Sequence, residues 1–221
     1  MSERPIGHVV VLNGGSSAGK STIGRTLQSS LHGTWLLTSV DVVIWTMPRK
    51  LEFTADGFTI EDGVFTRGEE FMRLFTAFQA SVVAQVNCGV NVLVEDVFLD
   101  GALDQQRWES ALGDVEALWV GVRCSPDIAA AREVERGDRP IGIARNEADS
   151  AHEGVHYDVE VDSGSMDHAT VTERITSAVS VRWAIASTTT SHDPFESPPP
   201  QALSVDGTIA RAPWEHWKPR Q

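Results

Sequence analysis

The chain contains few residues that could support a disulfide framework, a zinc site or a membrane span. Only two of its 221 residues are cysteines, Cys88 and Cys124, and neither has the paired neighbour that zinc sites require. We therefore expect two free, buried thiols. No apolar run approaches the roughly 20 residues that span a bilayer, and Met1 to His8 lack the apolar stretch of a signal peptide. These absences predict a cytoplasmic protein with no membrane partner.

Positive charge is also scarce. The chain has 18 Lys and Arg residues against 31 Asp and Glu residues, which gives a formal net charge of -13. Such a surface repels nucleic-acid backbones, so we expect no nucleic acid as a partner, although a local basic pocket for a small phosphate ligand remains compatible with it. Hydrophobic residues make up 41% of the chain, which is an ordinary globular composition for a protein that folds without covalent cross-links.

Short apolar runs alternate with helical patterns over most of the chain. The pattern predicts strands near residues 9–12, 35–40, 91–94, 117–122 and 157–161, and helices near residues 21–31, 67–87, 103–112, 127–135 and 167–186. Strands that alternate with helices in this way indicate a parallel sheet with helices on both faces. Residues 51–66 instead alternate apolar and polar side chains around two Asp-Gly pairs, which predicts a small β-hairpin insertion.

The composition changes after about residue 186. Six of the ten prolines lie in residues 187–221, including the run Pro198–Pro200. We expect this segment to be an extended or partly disordered tail, because it has too little apolar surface to form a core. Trp214 and Trp217 near its end are the exception, and the sequence leaves open whether they dock on the domain or on a partner.

The most specific signal in the sequence is a phosphate-binding loop. Residues 14–21 match GxxxxGK[ST] between a predicted strand and a predicted helix, where composition alone gives roughly 0.003 chance matches. In this motif, backbone N–H groups and a helix N-terminus surround phosphate oxygens. The expected nucleotide-binding residues are Gly14, Gly15, Ser16, Ser17, Ala18, Gly19, Lys20, Ser21 and Thr22. Lys20 would reach the β- and γ-phosphates as a catalytic residue, and Ser21 would ligate Mg²⁺. A glycine-rich turn without a ligand is the less favoured alternative.

Acidic residues follow two of the predicted strands. Glu95 and Asp96 end the run that begins at Val92, where P-loop proteins place the acid nearest the metal. Periodicity does not decide between them, and we favour Asp96 as the metal-side residue because it lies further past the apolar run. Asp41 ends the second strand, so it would lie beside the phosphate loop. It is either a base that accepts a hydroxyl proton or the N-cap of the next helix.

Arginines cluster in residues 132–145, a segment that glycine and proline interrupt. Phosphoryl transfer gains from arginines that a closing lid brings to the γ-phosphate. We therefore expect Arg132 to bind the nucleotide, and Arg136 and Arg139 to act in catalysis. The alternative is a set of solvent-facing ion pairs with glutamates such as Glu133.

Three histidines, His152, His156 and His168, lack the spacing of a metal site, so we expect structural roles or positions at the edge of a pocket for them. Four apolar residues between positions 45 and 58 are either walls of an acceptor pocket or ordinary core. They are Trp45, Met47, Phe53 and Phe58.

The motifs occur in the order of one known family. The blocks are residues 11–21, Ser39–Asp41 with Met47-Pro48, Glu95–Leu99, Leu118–Cys124, Arg136–Arg139 and His152–Asp162. Over about residues 8–183 the chain resembles the chloramphenicol 3-O-phosphotransferase family of P-loop kinases. The resemblance implies an α/β, three-layer P-loop NTPase fold of the nucleotide-kinase type, with a five-stranded, mainly parallel sheet. Residues 1–186 would then form the kinase domain, with a lid at about 132–145.

The resemblance also implies a reaction. ATP and Mg²⁺ would phosphorylate a small-molecule hydroxyl acceptor, with Asp41 as general base and the arginine-rich segment as lid. The hairpin region and the tail depart from the family pattern, so the acceptor remains open: chloramphenicol or a similar antibiotic, or a nucleoside, sugar or other metabolite. A non-catalytic nucleotide-binding module is a further alternative. The sequence does not decide whether the chain forms a homo-oligomer.

Overall fold

A computed structural model describes residues 6–137 and 140–184 of the chain. The predicted tail with Trp214 and Trp217, and the candidate lid residue Arg139, lie outside the described residues. None of the described helices has the length and apolar character that a bilayer crossing needs.

Strands and helices alternate along the described part of the chain, as the sequence predicts. The strands are β1 (Val9–Asn13), β2 (Trp35–Ser39), β3 (Phe58–Glu61), β4 (Val64–Arg67), β5 (Asn91–Asp96), β6 (Ala117–Arg123) and β7 (Val159–Asp162). The helices are α1 (Lys20–Ser30), α2 (Asp41–Thr46), α3 (Glu69–Asn87), α4 (Ala102–Leu112), α5 (Pro126–Arg136), α6 (Ile143–Ser150) and α7 (His168–Trp183), with a short 3-10 turn at Arg49–Leu51. Helix α6 begins inside the segment that the sequence predicts to be a broken lid.

Five parallel strands form the central sheet in the order β2-β5-β1-β6-β7. The phosphate-loop strand β1 lies in the middle, and all five of its residues are buried. Val10 and Leu12 face the cluster that contains α1 and α7, whereas Val9 and Val11 face the cluster that contains α3 and α4. Helices therefore cover both faces of the sheet, and the predicted three-layer α/β fold with a five-stranded parallel sheet is confirmed.

A two-stranded hairpin, β3 and β4, forms a separate small sheet between α2 and α3. Its turn uses the second Asp-Gly pair: Asp62 and Gly63 have φ values of 50° and 73°. Two consecutive positive φ values define the turn type that matches strand twist in two-residue hairpins, and such turns favour Asp-Gly. Residues 51–57 lead into the hairpin as turn and loop.

The two cysteines remain unpaired, as expected, but they lie in different environments. Cys124 is buried at the end of β6, whereas Cys88 is exposed at the C-terminal end of α3. The expectation of two buried thiols is therefore wrong for Cys88, which follows the last buried residue of the helix, Val86, and lies outside its apolar stripe.

Candidate active site

The phosphate loop connects β1 to α1 and contains two residues in the left-handed region, Ser17 (φ 59°) and Gly19 (φ 88°). Residues in this conformation turn neighbouring backbone N–H groups toward a common point, which makes an anion-binding concavity. Gly19 is the N-cap of α1 and offers no side-chain hydrogen bond to the first turn. The helix therefore begins with backbone donors and the positive end of its dipole directed at the loop.

The Lys20 side chain folds back over this loop. Its Nζ donates to the carbonyl oxygens of Gly14 at 2.6 Å and Gly15 at 2.8 Å, and the residue is largely buried. The ammonium group thus lies at the loop itself, where a bound triphosphate would meet it.

Ser21 and Glu95 are brought together at the end of the sheet. The Ser21 hydroxyl donates to Oε2 of Glu95 at 2.6 Å. Burial raises the pKa of Glu95, the Ser21 hydrogen bond and the nearby Lys20 charge lower it, and the Asp41 charge raises it further. An acid next to the phosphate-loop hydroxyl is the arrangement that a magnesium ion bound to phosphates requires.

Asp96, the acid that we favoured for the metal side, lies on the other face of the sheet. The structure therefore brings Glu95, and not Asp96, to the phosphate-loop hydroxyl of Ser21. Its carboxylate accepts hydrogen bonds from Nε1 of Trp108 at 2.6 Å and from the backbone N–H of Val97 at 2.7 Å. The residue is 1% exposed, and burial raises its pKa to about 6. Strand β5 continues through both acids, so its alternation sends their side chains to opposite faces.

Asp41 is the first residue of α2, directly after the end of β2. The N-cap of α2 is Val40, whose N–H donates to the carbonyl oxygen of Glu95 at 3.0 Å. The Asp41 N–H donates to the Ser39 hydroxyl at 3.2 Å. The alternative of Asp41 as the N-cap is therefore wrong, and its partly buried side chain lies near enough to Glu95 for its charge to affect the pKa of that acid.

Arg132 connects α5 to the phosphate loop. Its Nη1 donates to the Ser163 hydroxyl at 3.1 Å and to the Ser17 carbonyl at 3.4 Å, and its Nη2 donates to the Ser163 carbonyl at 2.9 Å. The Ser163 hydroxyl in turn donates to the carbonyl of Ala18 at 2.7 Å. Arg136 lies one turn further along α5 and is exposed. The structure thus brings Arg132, one member of the arginine cluster, to the loop.

Glu133 does not form the solvent-facing ion pair that the sequence left open. It is 2% exposed, and its carboxylate accepts from the backbone N–H groups of Gly142 at 2.6 Å and Ala144 at 2.8 Å. These donors lie at the start of α6, where backbone N–H groups have no helical acceptor. Glu133 therefore attaches the N-terminus of α6 to α5.

Sequence reasoning missed Glu147. Its Oε2 accepts the backbone N–H of Ser16, in the phosphate loop, at 2.8 Å. Helix α6 buries a stripe of residues at helical spacing, and Glu147 is the acid within that otherwise apolar stripe. An acid in such a position is the sequence signal that could have identified it.

A hydrogen-bonded group supports the residue before the loop, Asn13. Its Nδ2 donates to the Tyr157 hydroxyl and to the Ala151 carbonyl, both at 2.7 Å, and its Oδ1 accepts from the Phe98 N–H at 2.9 Å. Nδ1 of His152 lies 2.6 Å from the same hydroxyl. Burial lowers the pKa of His152 to about 4, so its ring is neutral near pH 7, as a structural role requires.

The other two histidines also have local partners. Nε2 of His168 lies 2.7 Å from the Thr26 hydroxyl, and the backbone of His156 is hydrogen-bonded to the Gln105 side chain. Within the ranges that the structure covers, no three His, Cys, Asp or Glu side chains lie close enough together to hold a metal ion by themselves.

The four candidate wall residues separate into two pairs. Met47 and Phe58 are buried in the core, and Phe58 stacks on Phe65 with ring centroids 4.9 Å apart. Trp45 and Phe53 are 69% and 54% exposed. Only the second pair has surface available to a ligand.

The strand order and the phosphate loop are those of the P-loop kinase class, and the comparisons with known proteins identify the chain as a phosphotransferase. The family model described as chloramphenicol phosphotransferase-like protein matches residues 7–180, and the chain belongs to this family. Two proteins from Mycobacterium tuberculosis strains, CDC 1551 / Oshkosh and H37Rv, are each 30% identical to it over 181 residues. Both are provisionally named O-phosphotransferases, and the matches cover 74% of this chain and 78% of each relative.

Solved structures share the fold at low sequence identity. A sugar kinase from a Janibacter species has a TM-score of 0.57 at 14% identity, covering 81% of this chain and 98% of its own. The tunicamycin resistance protein of Deinococcus radiodurans has a TM-score of 0.55 at 15% identity, covering 78% of this chain and 95% of its own. These similarities establish the P-loop kinase fold for this chain.

Proposed function

We propose that the protein transfers the γ-phosphoryl group of ATP to a hydroxyl group of a small molecule, with Mg²⁺ bound at the phosphate loop. The observation that supports this most directly is the Ser21–Glu95 hydrogen bond beside Lys20. It combines a metal-binding hydroxyl, an acid and a phosphate-binding cation at the start of one helix. We also propose that the protein acts in the cytoplasm, where ATP is available.

The residues present fit a nucleotide with one magnesium ion. Mg²⁺ is usually held by one or two protein oxygens together with phosphate oxygens and water, and Ser21 and Glu95 would supply the protein ligands. The metal would neutralise charge on the β- and γ-phosphates. The loop residues 14–22 would surround the phosphates, and Lys20 would leave its carbonyl partners to contact them.

Asp41 is our candidate for the general base. Its carboxylate would accept the proton of the acceptor hydroxyl while that oxygen forms a bond to the γ-phosphorus. The bond between the γ-phosphorus and the bridging oxygen breaks, and ADP leaves with the electron pair. Its position near Glu95 supports this role, since the base must lie within reach of both acceptor and phosphate.

The arginines would stabilise the transferred group. Arg132 already contacts the loop through Ser17, which supports a role in nucleotide binding. For Arg136 and Arg139 we propose contact with the γ-phosphate when the segment around Gly137 closes over the nucleotide.

Chloramphenicol or a similar antibiotic is the proposed acceptor. The family description supports it, as does the fold shared with a tunicamycin resistance protein. Trp45 and Phe53 offer exposed aromatic surface for an apolar drug. A metabolite such as a sugar is the second candidate, because a sugar kinase shares the same fold.

The test is mass spectrometry of chloramphenicol after incubation with the purified protein, ATP and Mg²⁺. We expect one phosphate on the drug, none without Mg²⁺, and none with Lys20→Ala. If chloramphenicol is unchanged but a sugar or nucleoside from a panel is phosphorylated, the second candidate replaces the first. If no hydroxyl compound is phosphorylated and ATP does not bind, the proposed function is wrong.

A further inference from the structure

Helix α6 packs directly against the start of the phosphate loop, although the GxxxxGK[ST] motif does not require a helix there. A Cβ atom added to Gly15 would lie 2.9 Å from the carbonyl carbon of Glu147 and 3.1 Å from the nitrogen of Ala148. One turn further, Nδ2 of Asn13 donates to the Ala151 carbonyl at 2.7 Å. The backbones of loop and helix are therefore in contact.

Within this contact, a hydrogen bond from the phosphate loop to the Glu147 side chain joins the loop to α6. The residue is 8% exposed, and its Oε2 accepts the Ser16 N–H at 2.8 Å. Ser16 is itself buried. A buried N–H without an acceptor and a buried carboxylate without a donor are both costly, so each group holds the other in place.

The rest of the fold fixes the position of α6. Glu133 binds the N–H groups at its N-terminus, at Gly142 and Ala144. On another side, Nδ2 of Asn146 donates to the carbonyl of Asp62 in the hairpin turn at 3.1 Å. Helix α6 is thus anchored to α5 and to the hairpin, and it presents Glu147 to the loop from a fixed position.

We propose that Glu147 is a positioning residue that holds the backbone of Ser16, so that the amides that follow it converge on the phosphates before the nucleotide arrives. This role rests on the proposed function. A carboxylate is an unexpected neighbour for a triphosphate, and the opposite possibility is that Glu147 imitates a phosphate and is displaced by it. The direct packing of α6 on Gly15 favours a permanent support, because the helix stays against the loop whatever the side chain does.

Two substitutions separate these roles. In Glu147→Gln the amide oxygen still accepts the Ser16 N–H, so we expect affinity for a non-hydrolysable ATP analogue within about threefold of the wild type. In Glu147→Leu the N–H loses its acceptor, so affinity should fall about tenfold or more, with a matching rise in KM for ATP. Glu153→Leu, an exposed position just beyond α6, is the control and should bind like the wild type. Calorimetric titration measures all four proteins.

A second measurement keeps the proposal testable if Glu147→Leu does not fold. The Ser16 amide of the wild-type protein should exchange its hydrogen slowly, both without and with the ATP analogue. Exchange as fast as that of an unprotected amide would overturn the proposal. So would tighter analogue binding by Glu147→Leu, or equal losses in the Gln and Leu variants. If wild-type protein binds no nucleotide, the proposed function fails with it; normal binding by every variant rejects the role of Glu147 alone.

Discussion

Ser21, in the first turn of α1, donates a 2.6 Å hydrogen bond to Glu95, near the end of β5. Strands β1 and β5 are neighbours in the sheet, so the loop that leaves β1 and the acid on β5 meet at the same edge. Ligands of open parallel sheets bind at this carboxyl edge. The pair therefore identifies the end of the sheet at which nucleotide and metal are expected.

A comparison of the two neighbouring acids tests this assignment. Glu95→Gln removes the charge of the proposed metal ligand, so we expect phosphoryl transfer to fall at least about 100-fold and to need more Mg²⁺. Asp96→Asn, on the opposite face, should retain transfer within a few-fold. Initial rates over a Mg²⁺ titration measure both. Equal losses in the two variants, or a larger loss for Asp96→Asn, would contradict the placement of the metal beside Glu95.

The proposed base predicts a selective loss in Asp41→Asn. The amide cannot accept the hydroxyl proton, so transfer to the acceptor should fall by at least about 100-fold, while affinity for the ATP analogue changes little. Asp114→Asn, an exposed position before β6, is the matched control. Rates and analogue titrations on the three proteins check this, and full transfer by Asp41→Asn would remove the residue from the mechanism.

Asp96 predicts a pH dependence of folding stability. Burial raises its pKa from 3.8 to about 6, so the folded state holds the proton more tightly than the unfolded chain. The stability that this group contributes is therefore present below pH 3.8 and is lost as the pH rises through 6. Relative to Asp96→Asn, the wild type should lose about 2 kcal/mol of unfolding free energy between pH 4 and pH 8, at 1.36 kcal/mol per pKa unit. Urea unfolding of the wild type and Asp96→Asn at both pH values measures this difference. The exposed control Asp114→Asn should show the same pH dependence as the wild type.

The buried contacts of Arg67 lead us to expect a large loss of unfolding free energy when its side chain is removed. Its guanidinium contacts both carboxylate oxygens of Asp104, at 3.1 and 2.9 Å, and it also binds Asp100. Arg67→Ala should lower the unfolding free energy by about 2 kcal/mol, since the buried Asp104 loses its two-point contact with Arg67 and keeps only its contact with Arg107. Arg73→Ala, which breaks an exposed pair with Glu70, should cost much less, because solvent screens the attraction between exposed charges. Similar urea midpoints for the two variants would show that the buried pair does not anchor the hairpin.

The sheet could be predicted because its strands carry their own signal. Runs such as Val9–Leu12 and Ala117–Val122 are almost wholly apolar, which only a strand buried on both faces requires. The phosphate loop was equally predictable, because GxxxxGK[ST] specifies residue types at fixed positions. These two features predicted a parallel α/β sheet with a phosphate loop, and the family resemblance added the nucleotide-kinase type; the structure and the family comparison confirm the fold class.

The sequence could not predict in the same way which of the two acids, Glu95 or Asp96, faces the phosphate loop. The apolar run ends at Val94, but the strand continues to Asp96, so the side chains keep alternating beyond the run. The number of residues past the apolar run is then a poor guide to which acid faces the phosphate loop. The phase of the strand alternation decides which face of the sheet each side chain occupies. Phase depends on which face packs against α1 and which against α4, and those contacts come from distant parts of the chain.

The apolar stripe of α6 could have marked Glu147 as a buried acid, but its partner could not be predicted from local sequence, because Ser16 lies 131 positions away. Only the packing of α6 on the phosphate loop brings the two together. The same holds for Glu133, whose acceptor role depends on where α6 begins. Residues that act through the backbone of another segment leave no motif of their own.

The hairpin turn rests on the same helix that supports the phosphate loop. A Cβ atom on Gly63 would lie 2.7 Å from the carbonyl carbon of Gly142, at the start of α6. Substitutions in the turn will therefore shift α6, and through it the phosphate loop. Affinity for the proposed nucleotide should therefore respond to substitutions in a hairpin that the phosphate-binding motif does not include.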